Sequence, residues 1–229
     1  MARRKWVNLP STWIEEHGLK TFKWKDGGSD NTAALMVLMV IAHHAEAGTG
    51  IAKVTYEDLH AATSISRAKI SRGLNLLEDR GIIKRWQDGR SSFQLVGYDL
   101  TGGWCKLPAQ PLYVGDLVEA FAYFTLRNKT ELNALKLYLL FAARRGRDTN
   151  LANISLDKIT EYAGVRRYEI KAATSLLASL SLAYIERLPS LANGYGVANA
   201  YRLAGLDTSV HMGTRGRRYE AADFEFPGE

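Results

Sequence analysis

The chain of 229 residues has a single cysteine, which excludes an internal disulfide and, on its own, a thiolate metal site. Neither a disulfide-stapled secreted domain nor a zinc finger is open to it. Long apolar runs are missing too. The longest, residues 33–42, is about half of the ~20 residues a membrane helix needs, and the opening MARRKWVNLP has no apolar stretch of the signal-peptide kind. A soluble protein of a reducing, cytoplasmic compartment is expected. Signatures of metal and nucleotide chemistry are also lacking. His43 and His44 are adjacent and point to different helix faces, whereas one metal is held by an i, i+4 pair. His17, His60 and His211 have no ligand-spaced neighbours. The Gly27-Gly28 and Gly102-Gly103 pairs lack the lysine of a phosphate loop and the spacing of a dinucleotide fingerprint. Cys105 sits among apolar residues and reads as a small buried side chain. The expectation is a protein that is not an enzyme and carries neither metal nor cofactor.

What is present is apolar content and positive charge. Hydrophobic residues make up 46% of the chain, enough for a packed core, and 30 Lys+Arg against 24 Asp+Glu leave a net charge of +6, with a pI near 9.4. A polyanionic partner fits that balance, and where the charge sits matters more than its sum.

The placement follows from an internal repeat. At an offset of 100 residues, ALMVLMVIAHHAEAGTGIAKVTYEDL from Ala34 lies over ALKLYLLFAARRGRDTNLANISLDKI from Ala134. Ala34/Ala134, Leu35/Leu135, Ala42/Ala142, Thr49/Thr149 and Ala52/Ala152 are identical, and the register continues through Arg67/Arg167, Ile70/Ile170 and Leu77/Leu177. With a slip of two residues it reaches W-x-x-L-P segments at Trp6–Pro10 and Trp104–Pro108. Two similar domains in tandem are expected, residues 1–100 and 101–207, with a tail at 208–229.

Each unit carries the same signals. In the first, residues 29–32 can cap a helix running to about Ala47, apolar on every face and therefore buried or at an interface. A short β segment follows at 51–54. Thr55 then caps a second helix with Asp58 three residues on, Thr63 and Ser64 turn, and Ser66 caps a third helix whose Ile70, Leu74 and Leu77 share one face. Two β runs, 82–87 and 93–97, flank a hairpin signal at 88–92. The second unit repeats this with helices at about 130–145, 155–163 and 166–180 and a hairpin at 183–188 and 197–203. The expected class is α+β, mostly helical: two tandem winged-helix domains arising from an internal duplication.

The stretch SISRAKISRGLNLLEDRGII resembles the helix-turn-helix core of winged-helix DNA-binding proteins, in which Ser, a basic residue, an aliphatic and Arg precede Leu-Glu-x-x-Gly-Leu/Ile-Ile. The W-x-x-L-P openings look like replication-protein modules of phages and plasmids, and two winged helices in one chain are similar to plasmid replication initiators. The resemblance implies sequence-specific binding of double-stranded DNA, as a replication initiator or a transcription regulator of a plasmid- or phage-type element.

In that layout the third helix enters the major groove. Its outward positions are Arg67, Ala68, Lys69, Ser71, Arg72 and Asn75, with Ser66 at the cap, and residues 66–85 hold six cations against two acids. Arg67 or Lys69 is the expected guanine contact and Asn75 the adenine contact. Lys84 and Arg85 follow on the hairpin, and Arg90 at its tip is placed for phosphate or minor groove. A solvated helix face is the alternative. The second unit departs from this pattern, with Glu169 for Lys69 and Ala172 for Arg72, while Arg166, Arg167, Tyr168 and Lys171 keep a basic and aromatic surface. Glu169 would repel phosphate unless it accepted a bond from cytosine. Whether this unit reads bases or only packs stays open. Arg3, Arg4 and Lys5 are a candidate groove-entering arm. The two domains would act as a covalent pseudo-dimer reading adjacent major grooves. Further expected partners are a second copy of the chain, as a homodimer, and replication or transcription machinery held by the tail. A protein-interaction adaptor built from winged helices is the rival reading.

Overall fold

The computed structural model describes residues 4–86, 91–146, 149–189 and 197–206. The first unit opens with strand β1 (Trp6–Pro10), a short helix α1 (Thr12–Glu15) and a 3-10 turn at Gly18–Thr21, followed by helix α2 (Gly28–His44). Every residue of α2 from 31 to 43 is buried. A helix apolar all round must be covered on all sides, and α4 of its own unit and α5 of the other both pack on it. Strand β2 (Ile51–Lys53), helices α3 (Tyr56–Thr63) and α4 (Arg67–Asp79), and strands β3 (Ile83–Arg85) and β4 (Ser92–Leu95) complete the unit, the sheet order being β2-β4-β3.

Local chemistry accounts for the helix starts. The Thr55 hydroxyl accepts the Asp58 N–H at 3.1 Å, and the Asp58 carboxylate accepts the Thr55 N–H at 2.7 Å, the reciprocal pair that the Thr-x-x-Asp spacing predicts. The Thr55 hydroxyl, which donates to that carboxylate at 2.7 Å, and then the Thr55 N–H hold the Asp58 carboxyl below its ordinary pKa. Ser66 caps α4, and Ile70, Leu74 and Leu77 are buried on its inner face.

The second unit contains β5 (Trp104–Pro108), a small hairpin β6 (Tyr113–Val114) and β7 (Leu117–Val118), a 3-10 turn at Glu119–Tyr123, α5 (Lys129–Arg144), β8 (Leu151–Asn153), α6 (Leu156–Ala163), α7 (Arg167–Ser179), β9 (Ala183–Pro189) and β10 (Val197–Leu203). Its sheet order, β8-β10-β9, is that of the first unit. The strand β8 and the helices α6 and α7 begin and end 100 residues after β2, α3 and α4.

The junction of the units was not legible in the sequence. The W-x-x-L-P segments are β1 and β5, and they pair antiparallel with each other: Trp6 faces Pro108, Asn8 faces Lys106 and Pro10 faces Trp104. The Trp6 and Trp104 rings lie parallel with centroids 6.3 Å apart, and the Lys106 ammonium stands 4.4 Å from the Trp6 ring centre, a cation–π contact. Beyond the ribbon the units exchange segments. The turn Gly18–Thr21 packs on α6, and Glu119–Tyr123 packs on α3. Buried apolar side chains of both units form one continuous cluster.

Element ends differ from expectation by a few residues. Helix α2 stops at His44 rather than Ala47, where Ala45 turns extended and bridges Ala52. The hairpin β6–β7 was not anticipated. Gln87, Asp88, Gly89 and Arg90 at the first hairpin tip, and the tail from residue 207, lie outside the described residues. Cys105 is buried in β5, as expected. Among the described residues no helix is long and apolar enough to cross a membrane, and no three His, Cys, Asp or Glu are grouped to hold a metal ion.

Candidate nucleic-acid interface

Between α3 and α4 the chain turns over three residues. Ser64 takes a left-handed conformation with φ 56°, Ile65 is buried, and Ser66 uses its hydroxyl to accept the Lys69 N–H at 3.4 Å. The inner face of α4 lies so close to α2 that a Cβ on Gly73 would stand 3.0 Å from the Ala34 backbone nitrogen. This contact fixes which face of α4 is left outside. Arg67, Ala68, Arg72 and Asn75 are exposed, and Lys69 and Ser71 are half-buried.

Several of the cations on this face already have partners. Arg67 reaches Glu57 of α3 at 3.1 Å, with both side chains well exposed, a pair worth roughly 0–1 kcal/mol that phosphate can displace. Lys69 is different. Its ammonium contacts the Asp30 carboxylate at 2.5 Å and the Ser29 hydroxyl at 2.6 Å, both at the start of α2, and both charged side chains are about three-quarters buried. Lys69, an expected base contact, therefore ties α4 to α2. Arg72 passes Asp30 at 3.8 Å but remains outside. On β3, Lys84 is exposed, and Arg85 donates to both the Glu78 carboxylate and the Asn75 side-chain oxygen, the latter at 2.8 Å. The strand thereby positions Asn75 with its amide nitrogen directed away from that bond. Arg80, in the same stretch, is structural: it donates to the Thr21 carbonyl and the Asn31 side chain and lies 4.2 Å over the Phe22 ring, and burial lowers its pKa.

Residues 31–83 match the family model of a helix-turn-helix domain. That span runs from the first turn of α2 to the first residue of β3, and α4 is its third helix. No curated protein matches the chain. In this helix-turn-helix domain the surface offered outward is Arg67, Ala68, Arg72 and Asn75, extended along the hairpin by Lys84 and the exposed ring of Trp86. Trp86 and the anchoring acids Asp30, Glu57 and Glu78 were not singled out in the sequence. Asp30 and Glu57 could have been: each stands at the start of a helix, in reach of α4 once the three helices are packed.

The second unit has the same frame with altered chemistry. Arg167 meets Asp157 at 3.4 Å, as Arg67 meets Glu57. Glu169 has partners within its own unit. It pairs with Lys129 at 2.5 Å and accepts the Arg166 N–H at 3.3 Å. Burial works to raise its pKa, but Lys129 and the hydrogen bonds from Arg166 and Asn133 outweigh burial and hold it below the ordinary value. Lys69–Asp30 in one unit and Glu169–Lys129 in the other are thus the same interhelical tie with its charges reversed. Arg166 and Lys171 are exposed, and Arg166 donates to the Tyr168 hydroxyl at 2.8 Å. Tyr168 is 71% exposed, and Tyr184 and Ile185 on β9 replace Lys84 and Arg85. Arg4, from the expected N-terminal arm, donates to the Ala45 carbonyl.

Proposed function

We propose that the protein binds double-stranded DNA sequence-specifically and without catalysis, reading bases with α4 and gripping phosphate with the hairpin behind it, as a replication initiator or transcription regulator of a plasmid- or phage-type element. The observation that carries this reading is the exposed Arg67, Arg72 and Asn75 face on the third helix of the helix-turn-helix match. Guanidinium and amide side chains are the groups that form paired hydrogen bonds with guanine and adenine edges. The repeated frame supports an origin by duplication and a covalent pseudo-dimer spanning adjacent major grooves. The adaptor reading draws on the apolar Tyr184 and Ile185 of β9, which stand exposed where the first unit has cations.

A labelled duplex from the coding region's own upstream sequence, titrated against salt with unlabelled competitor present, tests it. Binding should weaken steeply with salt, and Arg67→Ala with Arg72→Ala should abolish it. If no duplex from a genomic pool outcompetes bulk DNA, the adaptor reading replaces this one.

A further inference from the structure

The strands β1 and β5 are corresponding segments of the two units, and they pair with Asn8 opposite Lys106, the residues that hold the same place in the two W-x-x-L-P motifs. Positions equally far to either side exchange partners, Trp6 with Pro108 and Pro10 with Trp104. Like set against like in this way is an isologous contact, and it places a local two-fold axis through the Asn8–Lys106 pair. The exchanged segments obey the same rule. Glu15 and Tyr113 each stand nine positions after the tryptophan of their motif. Glu15 bonds Arg144 at the end of α5 at 3.2 Å, and Tyr113 bonds His43 at the end of α2 at 2.9 Å. The turn Gly18–Thr21 covers α6 while Glu119–Tyr123 covers α3. Units related by simple translation would make such contacts in one direction only; here each of these three is returned.

Building on the duplex-binding function above, we propose that a single chain reads an inverted repeat of two unlike half-sites. A duplex has local two-fold axes of its own, and two reading helices related by a two-fold share one of them when both lie in major grooves of the same duplex. The half-sites are inverted for that reason. They are unlike because the helices differ: Arg72 and Asn75 on α4 are replaced by Ala172 and Ser175 on α7, and Ala68 by the exposed Tyr168. The α4 half-site is read by hydrogen bonds to purine edges, while Tyr168 and Ala172 offer apolar surface that fits thymine methyl groups. The complex is then polar. One chain sits on its site in one orientation, which a symmetric homodimer on a palindrome cannot do.

Selection of duplexes from a random pool by the full-length protein, followed by gel shifts on the enriched sequence with its halves rearranged, tests this. Two unlike half-sites in inverted orientation, about one helical turn apart, should be enriched, with one chain per duplex. Turning one half around should cost about tenfold or more in affinity. Tyr168→Ala should relax preference in one half-site alone and Asn75→Ala in the other. A direct repeat, a single half-site, a palindrome holding two chains, or one chain bridging two duplexes would each overturn the proposal. If no sequence is enriched, duplex reading itself falls, and the inference with it.

Discussion

At the scale of single residues, the cations of α4 divide into those that hold the fold and those offered outward, and substitutions should separate them. Lys69→Ala leaves the mostly buried Asp30 carboxylate without its main partner and should cost about 1–2 kcal/mol in urea unfolding. Transplanting the second unit's tie, Ser29→Lys with Asp30→Thr and Lys69→Glu, should recover most of that loss and leave duplex affinity near that of the unaltered protein. A collapse of affinity in this triple variant, with stability restored, would return Lys69 to the base edge. Arg72→Ala should do the opposite, leaving stability within about 0.5 kcal/mol while lowering duplex affinity about tenfold or more and flattening its salt dependence. Lys136, inside α5, is 3% exposed and donates to the Phe22 carbonyl at 3.1 Å. Burial first, and then the nearby Lys129 charge, lower its pKa to about 8. The unfolded chain binds that proton up to a pKa near 10.5, so between about pH 8 and 10.5 unfolding takes up a proton and stability rises with pH. Lys136→Met, which copies Met36 of the first unit, should therefore stabilise the protein by up to about 3 kcal/mol near pH 7. That gain should fade as the pH approaches 10, as read by urea unfolding across the range.

At the scale of elements, what aims α4 is its approach to α2. Gly73 allows a close backbone approach, a Cβ there standing 3.0 Å from the Ala34 nitrogen, and its counterpart in α7 is the buried Ala173. Gly73→Val should cost about 2–3 kcal/mol through overpacking and weaken duplex binding as well, because displacing α4 moves Arg72 and Asn75 together; paired thermal melts and gel shifts read both effects. Much of this level was legible in the sequence. Helix caps at Thr55 and Ser66 and the stripe Ile70, Leu74 and Leu77 are set by interactions within a few residues, and local chemistry writes them into local sequence. The hairpin β6–β7 carries no comparable signal, since two-residue strands have too few positions to show alternation.

For the molecule as a whole, one apolar cluster spanning both units implies one cooperative unit of folding. Thermal unfolding followed by tryptophan fluorescence and by far-ultraviolet circular dichroism should give coincident transitions. Leu9→Asp, in the β1–β5 ribbon, should lower both together; two separated transitions would show that the units melt independently.

The sequence by itself determined the elements, their order and their recurrence at 100 residues, because apolar periodicity and capping are properties of neighbouring residues. It also singled out α4, whose exposed cations stand in a recognisable pattern. Tertiary structure alone decided which of those cations are available. Asp30 lies 39 positions from Lys69, so no local reading could reveal that one neutralises the other. The same holds for β1 and β5. Their likeness is visible in the letters, but pairing across about a hundred residues is decided by the chain closing on itself, and it is this closure that sets the two segments antiparallel.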